Sequence, residues 1–387
     1  MSKSLKDIVT IIKSPLNFKD TILAFGAELK NTFCLAIQGR IYVSKDNGNL
    51  EEFANFIKFE KKLNCLLKTL KIKPKIIAYD LHPEYLSTKF ALDFAKKNRI
   101  ERTIAVQHHH AHIASCMLYN NIKDKVIGVA FDGTGFGLDG NIWGGEFLIA
   151  DFNNFRRAAH LRYIPMPGGK QAILEPWRMS LSWLNSIFKD KVLKSNFGFS
   201  KKINKTKLRI IKQMLDNNIN SPLTSSTGRL FDAVASLITK RQKVEFEAQA
   251  AIELEEMAFS AIDSGFSSYG FKIKENACLI IDPSLMFRQI TRDLNKKVSC
   301  DKIAFKFHCT IAKIITEVCL VLRRKTRINK AVLSGGVFQN RIVSELAQEK
   351  LQLEKFKVFT HNKIPINDAG ISIGQAIVAN VRFSQRR

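Results

Sequence analysis

The sequence predicts an α/β protein of two lobes, because the same order of elements occurs twice along the chain. Each half opens with short strands joined by tight turns and continues with alternating strands and helices. The second half is longer because a mainly helical insertion occupies about residues 170–295. With 387 residues, of which 45% are hydrophobic, the chain can bury the cores of both lobes.

The first half is predicted to hold a tail, a strand meander and strand–helix units. We expect residues 1–21 to form a short N-terminal tail and residues 22–124 to form the first lobe. Short β-rich runs with glycine turns cover residues 21–44, which indicates the meander. Helical spacing of apolar residues follows over 50–71, and the buried strand KIIAYD then ends at Asp80.

The second lobe is expected to span residues 125–387. It begins with strand, glycine turn and strand over 125–152, which predicts a second meander. After the helical insertion, AVLSGGVFQN (331–340) predicts strand, turn and helix, and NDAGISIGQAIVANV (367–381) predicts a final helix. Two such lobes around a cleft are typical of the actin, sugar-kinase and Hsp-type (ASKHA) fold, which is the fold class that we predict.

Composition excludes some functions and leaves others open. The net charge is +26, but the lysines are dispersed in pairs and accompany abundant Ile, Asn and Phe, residues that A/T-rich codons encode. A bias toward such codons therefore explains the charge better than nucleic-acid binding, although nucleic-acid binding stays open. No apolar run reaches the roughly 18 residues of a membrane span, and we find no signal-peptide pattern. The seven cysteines are scattered and odd in number, which favours reduced thiols and a cytoplasmic protein.

The strand TIAV, followed by VQHHHAHIASCM, carries the candidate metal ligands. The β-like run stops at Gln107, after which apolar residues recur at helical spacing. If the helix begins near Gln107, His108 and His112 share one face, so two imidazoles can bind one metal ion. Alternatively, the histidines only cap and coat an ordinary helix.

Two glycine-rich turns are candidate phosphate-binding segments. In FDGTGFG (131–137), Asp132 ends a strand and a turn follows whose amides can face a phosphate, although a plain hairpin turn would look the same. SGGVFQN (334–340) lies between a strand and a helix, which suits a nucleotide at the helix N-terminus. Asn340 is expected one turn into that helix, where a polar surface role is the alternative.

Two further carboxylates are expected at helix starts. Asp232 follows Gly228 in STGRLFDAVA and could accept hydrogen bonds from ribose, or only favour the helix dipole. Asp368 in NDAG opens the last helix, where capping is the alternative role. Together, two imidazoles, two carboxylates and several glycine turns around a cleft could hold a metal ion against nucleotide phosphates.

At these motifs the chain resembles the C-terminal, TsaD-like transferase part of the HypF carbamoyltransferases of nickel-iron hydrogenase maturation. The resemblance runs from about Leu23 to the end and rests on GAELKNTFCLA, DLHPEYLST, VQHHHAHIAS, GVAFDGTGFG, EPWRM, STGRLFDAVA, LSGGVFQNR and NDAGISIGQA, in that order. It is more distantly similar to the TsaD-type transferase that makes threonylcarbamoyl adenosine on tRNA. One family turn, Q-H-I-G-D-L, reads KDNGNL here.

The resemblance implies acyl transfer without a nucleophile from this chain. Carbamoyl-adenylate would enter the cleft, and the C-terminal cysteine thiolate of a HypE-like acceptor protein would attack it. The family's acylphosphatase-like, zinc-binding and YrdC-like domains are not found in the sequence, so we expect a separate YrdC-like protein to make the carbamoyl-adenylate. The implied cofactors are one zinc or iron ion and ATP or carbamoyl-adenylate, with magnesium as a further candidate.

The resemblance also assigns residues. The implied metal ligands are His108, His112, Asp132 and Asp368. The implied nucleotide-binding residues are Gly133, Thr134, Gly135, Gly228, Asp232, Gly335, Gly336 and Asn340. In EPWRM, the guanidinium of Arg178 could contact the carbamoyl group; equally, Trp177 could be a core residue with Arg178 as its surface neighbour.

Two other functions stay open. A tRNA-modifying threonylcarbamoyl transferase would share the metal set and use the basic charge, but EPWRM and DGNIWGGEF resemble the carbamoyl branch. A non-catalytic nucleotide-binding remnant would explain the altered turn at Asp46 and Asn49, whereas the intact ligand set argues against it.

Overall fold

A computed structural model describes residues 7–189, 191–194, 203–239 and 241–385. Residues 1–6 of the expected tail lie outside the described residues, as does a part of the expected insertion. The described chain has two mixed sheets with helices packed on them, so the prediction of a two-lobed α/β fold is confirmed.

The first lobe is built on a six-stranded sheet. Its strands, in chain order, are β1 (Val9–Lys13), β2 (Ile22–Ala24), β3 (Cys34–Ile37), β4 (Arg40–Ser44), β5 (Ile76–Asp80) and β6 (Thr103–Val106). In space the order is β1-β4-β3-β2-β5-β6. The antiparallel pairs β2–β3 and β3–β4 are the predicted meander, and β5 and β6 continue the sheet in parallel.

The second lobe is built on a nine-stranded sheet. Its strands are β7 (Val126–Phe136), β8 (Ile142–Ala150), β9 (Phe155–Leu161), β10 (Ile164–Pro165), β11 (Leu223–Thr224), β12 (Lys272–Glu275), β13 (Leu279–Asp282), β14 (Lys330–Ser334) and β15 (Lys357–Phe359). The main order is β12-β13-β9-β8-β7-β14-β15. Again an antiparallel meander, β7 to β9, is extended by parallel strands, here β14 and β15.

Helices cover both sheets. In chain order they are α1 (Phe53–Leu70), α2 (Leu86–Lys97), α3 (His108–Tyr119), α4 (Gln171–Leu174), α5 (Trp177–Phe188), α6 (Lys191–Lys194), α7 (Lys205–Asp216), α8 (Thr227–Ile238), α9 (Gln249–Phe259), α10 (Ser284–Asn295), α11 (Cys300–Thr326), α12 (Arg341–Leu353) and α13 (Ile371–Ser384). The insertion is mainly helical over its described residues. Within it, the short antiparallel strands β12 and β13 extend the second sheet beyond β9.

The expected tail contains a strand that we did not predict. β1 pairs antiparallel with β4, from Val9 opposite Ser44 to Lys13 opposite Arg40. Its β-branched residues favour an extended backbone, whereas most of its side chains are exposed, as suits an edge strand.

The C-terminal helix α13, which we had placed in the second lobe, packs on the first sheet. It contacts α3 and strands β2, β3 and β5, and its residues Ile373, Ile377 and Val378 share a core with Ala24 and Ala78. The lobe boundaries themselves stay a prediction.

Helix α3 lies between the two sheets. It packs against α13 on one side and against β7, β8 and β14 on the other. Every residue from His108 to Leu118 is buried, which explains why the helix is not amphipathic. None of the helices in the described ranges is long and apolar enough to cross a membrane. All seven cysteines are reduced thiols, as predicted.

Candidate metal and nucleotide site

The first turn of α3 presents the two predicted histidine ligands on one face. Gln107 caps the helix, because its side-chain oxygen accepts a hydrogen bond from the His110 amide at 2.9 Å. The helix therefore begins at His108, as the spacing predicts. His110 points away and contacts the carbonyl of Asp151 at 2.7 Å.

All four predicted metal ligands converge at this helix end. Asp132 Oδ2 lies 3.0 Å from His112 Nε2 and 3.3 Å from His108 Nε2. Asp368 Oδ1 lies 3.5 Å and 3.6 Å from the same two nitrogens. One donor atom from each residue lies within 4.8 Å of all the others. Two imidazole nitrogens and two carboxylate oxygens fit zinc or ferrous iron.

The four side chains shift one another's pKa values. Burial lowers the pKa of His108 and His112, but nearby carboxylates outweigh burial and raise both pKa values above the ordinary range. Burial raises the pKa of Asp132 and Asp368, and the two histidines more than reverse this, so both pKa values are low. A bound cation would replace these imidazole protons, since histidine binds metals as neutral imidazole.

Asp80 supports His108 and is a site residue that we did not single out. The Nδ1–H of His108 donates to Asp80 Oδ2 at 2.8 Å, and both side chains are fully buried. This bond directs His108 Nε2 toward the ligand set, as carboxylate partners of metal-binding histidines do. The sequence could have indicated Asp80, because it ends a predicted buried strand. That strand pairs in parallel with the strand leading to His108.

Asp132 is placed by a bulge, and here the structure corrects the prediction of a turn. Strand β7 continues to Phe136, and its pairing with β8 shifts register between Phe131 and Gly135. The bulge turns Asp132 toward the histidines. Its second oxygen accepts hydrogen bonds from the amides of Gly133 at 2.8 Å and Gly336 at 3.2 Å.

His112 and Asp368 are supported from the second lobe and the C-terminal turn. His112 Nδ1 lies 3.5 Å from the hydroxyl of Ser334, which is 2.8 Å from His361 Nε2. Asp368 opens a short 3₁₀ turn, and the preceding Asn367 is its cap, accepting from the Ala369 amide at 3.2 Å. The carboxylate of Asp368 is therefore not the cap and can face the site.

A cavity of about 250 Å³ adjoins the ligand set, with Asp132 and Asp368 in its wall. The predicted nucleotide-binding residues that line it are Gly133, Gly228, Asp232, Gly336 and Asn340. Asp232 is buried, which raises the pKa of its carboxyl, and pairs with Arg229 at 2.7 Å. Most of the predicted nucleotide residues thus share one cavity with two of the metal ligands.

Three other predicted nucleotide-binding residues are not in the cavity wall. Thr134 lies within the bulge, and Gly135 packs against the His108 and His109 rings. Gly335 has a φ of +103°, and a Cβ there would overlap the Phe131 carbonyl, so its role in the structure is close packing.

Arg178, the predicted carbamoyl contact, also lies outside the cavity wall. It pairs with Glu175 at 2.5 Å, and Trp177 beside it is a core residue with 3% exposure. Trp177 is thus a core residue, whereas the contact of Arg178 with the carbamoyl group stays a prediction.

The helix after the second glycine turn differs from expectation. A 3₁₀ turn, Gly336–Gln339, separates the glycines from α12, so Asn340 is the N-cap rather than a first-turn residue. Its Oδ1 accepts from the Val343 amide at 2.9 Å, and Glu255 accepts from the Arg341 amide at 2.6 Å. These amides are thus engaged by side chains and are not free for a phosphate.

Fold and site together define a two-lobed ASKHA-type protein with a candidate metal centre at a cavity in its cleft. The chain matches the family model described as "Carbamoyltransferase, Kae1-like Domain, second subdomain" over residues 128–375 and that described as "HypF Kae1-like domain" over residues 17–118. It therefore belongs to the HypF carbamoyltransferase family, as its Kae1-like part, which confirms the resemblance.

Two relatives from Cupriavidus necator show how much of the family the chain spans. It is 32% identical to Carbamoyltransferase HypF2 over 379 residues, covering 93% of this chain but 46% of the relative. It is 32% identical over 361 residues to a Carbamoyltransferase HypF homolog, covering 92% of this chain and 91% of that one. The chain thus spans about half the length of HypF2 and nearly all of the shorter homolog.

Solved structures agree with this fold. The crystal structure of full-length HypF in the phosphate- and nucleotide-bound form matches with a TM-score of 0.89 and 40% identity, covering 96% of this chain and 57% of that one. The crystal structure of T. kodakarensis HypF also matches with a TM-score of 0.89, at 30% identity, covering 97% of this chain and 49% of that one.

Proposed function

We propose that this chain transfers a carbamoyl group from carbamoyl-adenylate to the cysteine thiolate of a HypE-like acceptor. The observation that carries the proposal is the set of four donor atoms within 4.8 Å, beside a cavity lined by the predicted nucleotide-binding residues. Membership of the HypF carbamoyltransferase family supports it, as does the phosphate- and nucleotide-bound form of a HypF structure. We expect it to act in the cytoplasm.

The residues have separate tasks in this proposal. His108, His112, Asp132 and Asp368 would hold one zinc or iron ion, which when bound would serve as a Lewis acid toward a phosphate or carbamoyl oxygen. Asp80 orients His108, and the Gly133 and Gly336 amides orient Asp132. The cavity would hold the nucleotide part away from water.

The acceptor thiolate is expected from another protein. Among the described residues that line the cavity there is no cysteine. Burial also raises the pKa of the Cys34 thiol to about 12 and that of Cys309 to about 11, so neither is a ready nucleophile. A separate YrdC-like protein as the source of carbamoyl-adenylate, and a HypE-like acceptor, complete the proposed reaction.

Calorimetric titration of ATP into the metal-quantified protein tests the site. We expect micromolar binding, lost together with the metal when His108→Ala is combined with His112→Ala. The matched control combines His109→Ala with His110→Ala, which removes two buried imidazoles of the same helix from outside the ligand set. Full metal content and unchanged ATP binding in the first variant would contradict the proposal.

A transfer assay tests the reaction itself. The protein is incubated with HypE, ATP, carbamoyl phosphate, an acylphosphatase that hydrolyses carbamoyl phosphate to carbamate and phosphate, and a YrdC-like partner that converts carbamate and ATP to carbamoyl-adenylate and pyrophosphate. Carbamoylation of the HypE C-terminal cysteine, with release of AMP, is measured by mass spectrometry. We expect the carbamoyl adduct on HypE and none on tRNA. Turnover that needs tRNA would instead favour the threonylcarbamoyl transferase, and binding of ATP without any transfer would favour a non-catalytic remnant.

A further inference from the structure

The cavity beside the metal ligands has an excess of acidic side chains. Two cations, Lys30 and Arg229, are among the described residues that line it. Arg229 is paired with a buried carboxylate on its own helix. The carboxylates of the lining are Asp132, Asp232, Glu247, Glu255 and Asp368. A phosphate-bearing ligand would therefore be repelled unless cations faced it, and a metal ion alone leaves much of this negative charge uncompensated.

Lys30 is placed to meet such a ligand from the first lobe. It lies in the loop between β2 and β3, and its ammonium is 3.3 Å from the carboxylate of Glu247, just before α9 of the second lobe. The two side chains are 39% and 46% exposed, and solvated ion pairs of this kind are weak. Although burial opposes it, Glu247 and Asp368 raise the pKa of Lys30, so the ammonium stays charged.

We propose that Lys30 binds the anionic phosphate end of the nucleotide in this cavity. Its ion pair with Glu247 breaks when the nucleotide binds. This assignment rests on the proposed function and deepens it by naming a residue that recognises the ligand's charge. The lysine side chain is long and flexible, and its ammonium acts as a point charge toward phosphate. Glu247 then competes with the ligand for the same cation, so the two members of the ion pair have opposite effects on binding.

A second ion pair between the lobes provides a matched control. Lys170 pairs with Glu51 at 2.5 Å, and both side chains are well exposed. Neither residue lines the cavity. Lys170→Met thus removes a lysine from an ion pair between the lobes without removing a charge from the cavity.

Calorimetry with two probes, ATP and adenosine, tests the proposal in the metal-loaded protein. We expect Lys30→Met to weaken ATP binding about 10- to 100-fold, as for the loss of a charge-assisted hydrogen bond, and to leave adenosine binding unchanged. Lys30→Arg is expected to restore most of the ATP affinity. Glu247→Gln is expected to strengthen ATP binding, and Lys170→Met to leave it unchanged.

Three results would overturn the assignment. If Lys30→Met left ATP binding unchanged, the assignment of Lys30 would be overturned and the proposed function would stand. If Lys30→Met and Glu247→Gln weakened ATP binding equally, or if Lys30→Met also weakened adenosine binding, the ion pair would have only a structural role. A metal-loaded wild type that binds no ATP would overturn both this assignment and the proposed function.

Discussion

Asp80 determines the direction in which His108 presents its ligand nitrogen. Asp80→Asn keeps the size of the side chain but removes the charge that pairs with the imidazole, and the amide can turn its NH₂ group toward Nδ1. We expect metal affinity to fall about 10- to 100-fold, as for other partners of metal-binding histidines. Competition with a chromophoric chelator measures this change.

The control for Asp80→Asn is Asp124→Asn, which removes an exposed carboxylate paired with Lys330. It is expected to leave metal affinity unchanged. Equal metal affinity in wild type and Asp80→Asn would show that the hydrogen bond to His108 does not support the metal.

Asn340 determines the protonation of His308. Because Asn340 Oδ1 caps α12, its NH₂ group faces His308 Nε2 at 3.0 Å, so that nitrogen must be the unprotonated acceptor. The Nδ1–H of His308 then donates to the Ala304 carbonyl at 2.7 Å. Burial lowers the pKa of His308 to about 4.

This low pKa predicts a pH dependence of stability. The unfolded chain binds a proton at His308 below about pH 6.5 while the folded protein does not, so stability is full above that pH and falls toward pH 4. His308→Gln keeps an acceptor for Asn340 without titrating. We expect the wild type to lose roughly 1–3 kcal/mol more than His308→Gln over this range, measured by urea unfolding of metal-free protein. If the free energies of unfolding of the wild type and His308→Gln changed equally with pH, the prediction would be contradicted.

Single residues differed in how well the sequence predicted them. His108, His112, Asp132 and Asp368 stood out because they belong to chemically unusual words at predicted strand or helix ends. Lys30 and Asp80 lie within the quoted words GAELKNTFCLA and DLHPEYLST, but neither their residue types nor that of Glu247 indicates a role in the site. Only their position in the folded cleft distinguishes them from solvated surface charges.

At the scale of elements, the crossing of α3 and α13 determines where the histidines lie. Gly374 of α13 contacts the backbone of Ala111 in α3, and a Cβ at this position would overlap the Ala111 carbonyl. Gly374→Ala would push the helices apart and displace the first turn of α3. We expect a loss of about 1–3 kcal/mol of stability together with reduced metal content, measured by urea unfolding and metal analysis.

Gly133→Ala is the stability control for Gly374→Ala, because nothing lies within 4 Å of the Cβ that it adds. It is expected to unfold at the wild-type urea concentration. A wild-type unfolding midpoint for Gly374→Ala would mean that the crossing can relax without cost.

The sequence predicted elements well where local signals agree. Both meanders follow from β-rich runs and glycine turns, and α3 from the end of a β-like run and the helical spacing after it. The bulge in β7 was missed because glycines in FDGTGFG also suit a turn. β1 was missed because an exposed edge strand has no buried face and leaves a weak alternating pattern.

At the scale of the whole molecule, the site joins distant parts of the chain. His108 and His112 come from α3, Asp132 from β7, and Asp368 from the turn before α13. A metal ion bound to all four would tie these elements together and stabilise the folded state in proportion to its affinity. Such long-range packing, including that of α13 on the first sheet, could not be predicted from local patterns.

Removal of the metal is therefore expected to loosen the cleft. Dialysis against a chelator should lower the melting temperature and increase amide hydrogen exchange in α3 and α13 above that of β8 in the second sheet. The variant with both His108→Ala and His112→Ala should not respond to the chelator. A chelator effect of equal size in that variant would show that the ion lies elsewhere.

The order of the ligands along the chain also bears on how the protein is made. A ribosome releases α3 and β7 long before Asp368 and α13, and the earlier parts can begin to fold during synthesis. Until the last ligand and its helix emerge, the nascent chain has an incomplete metal site and an uncovered face on its first sheet. Capture of the metal by all four ligands thus follows the release of Asp368 and α13, and a chaperone would bind the apolar face that is open until then.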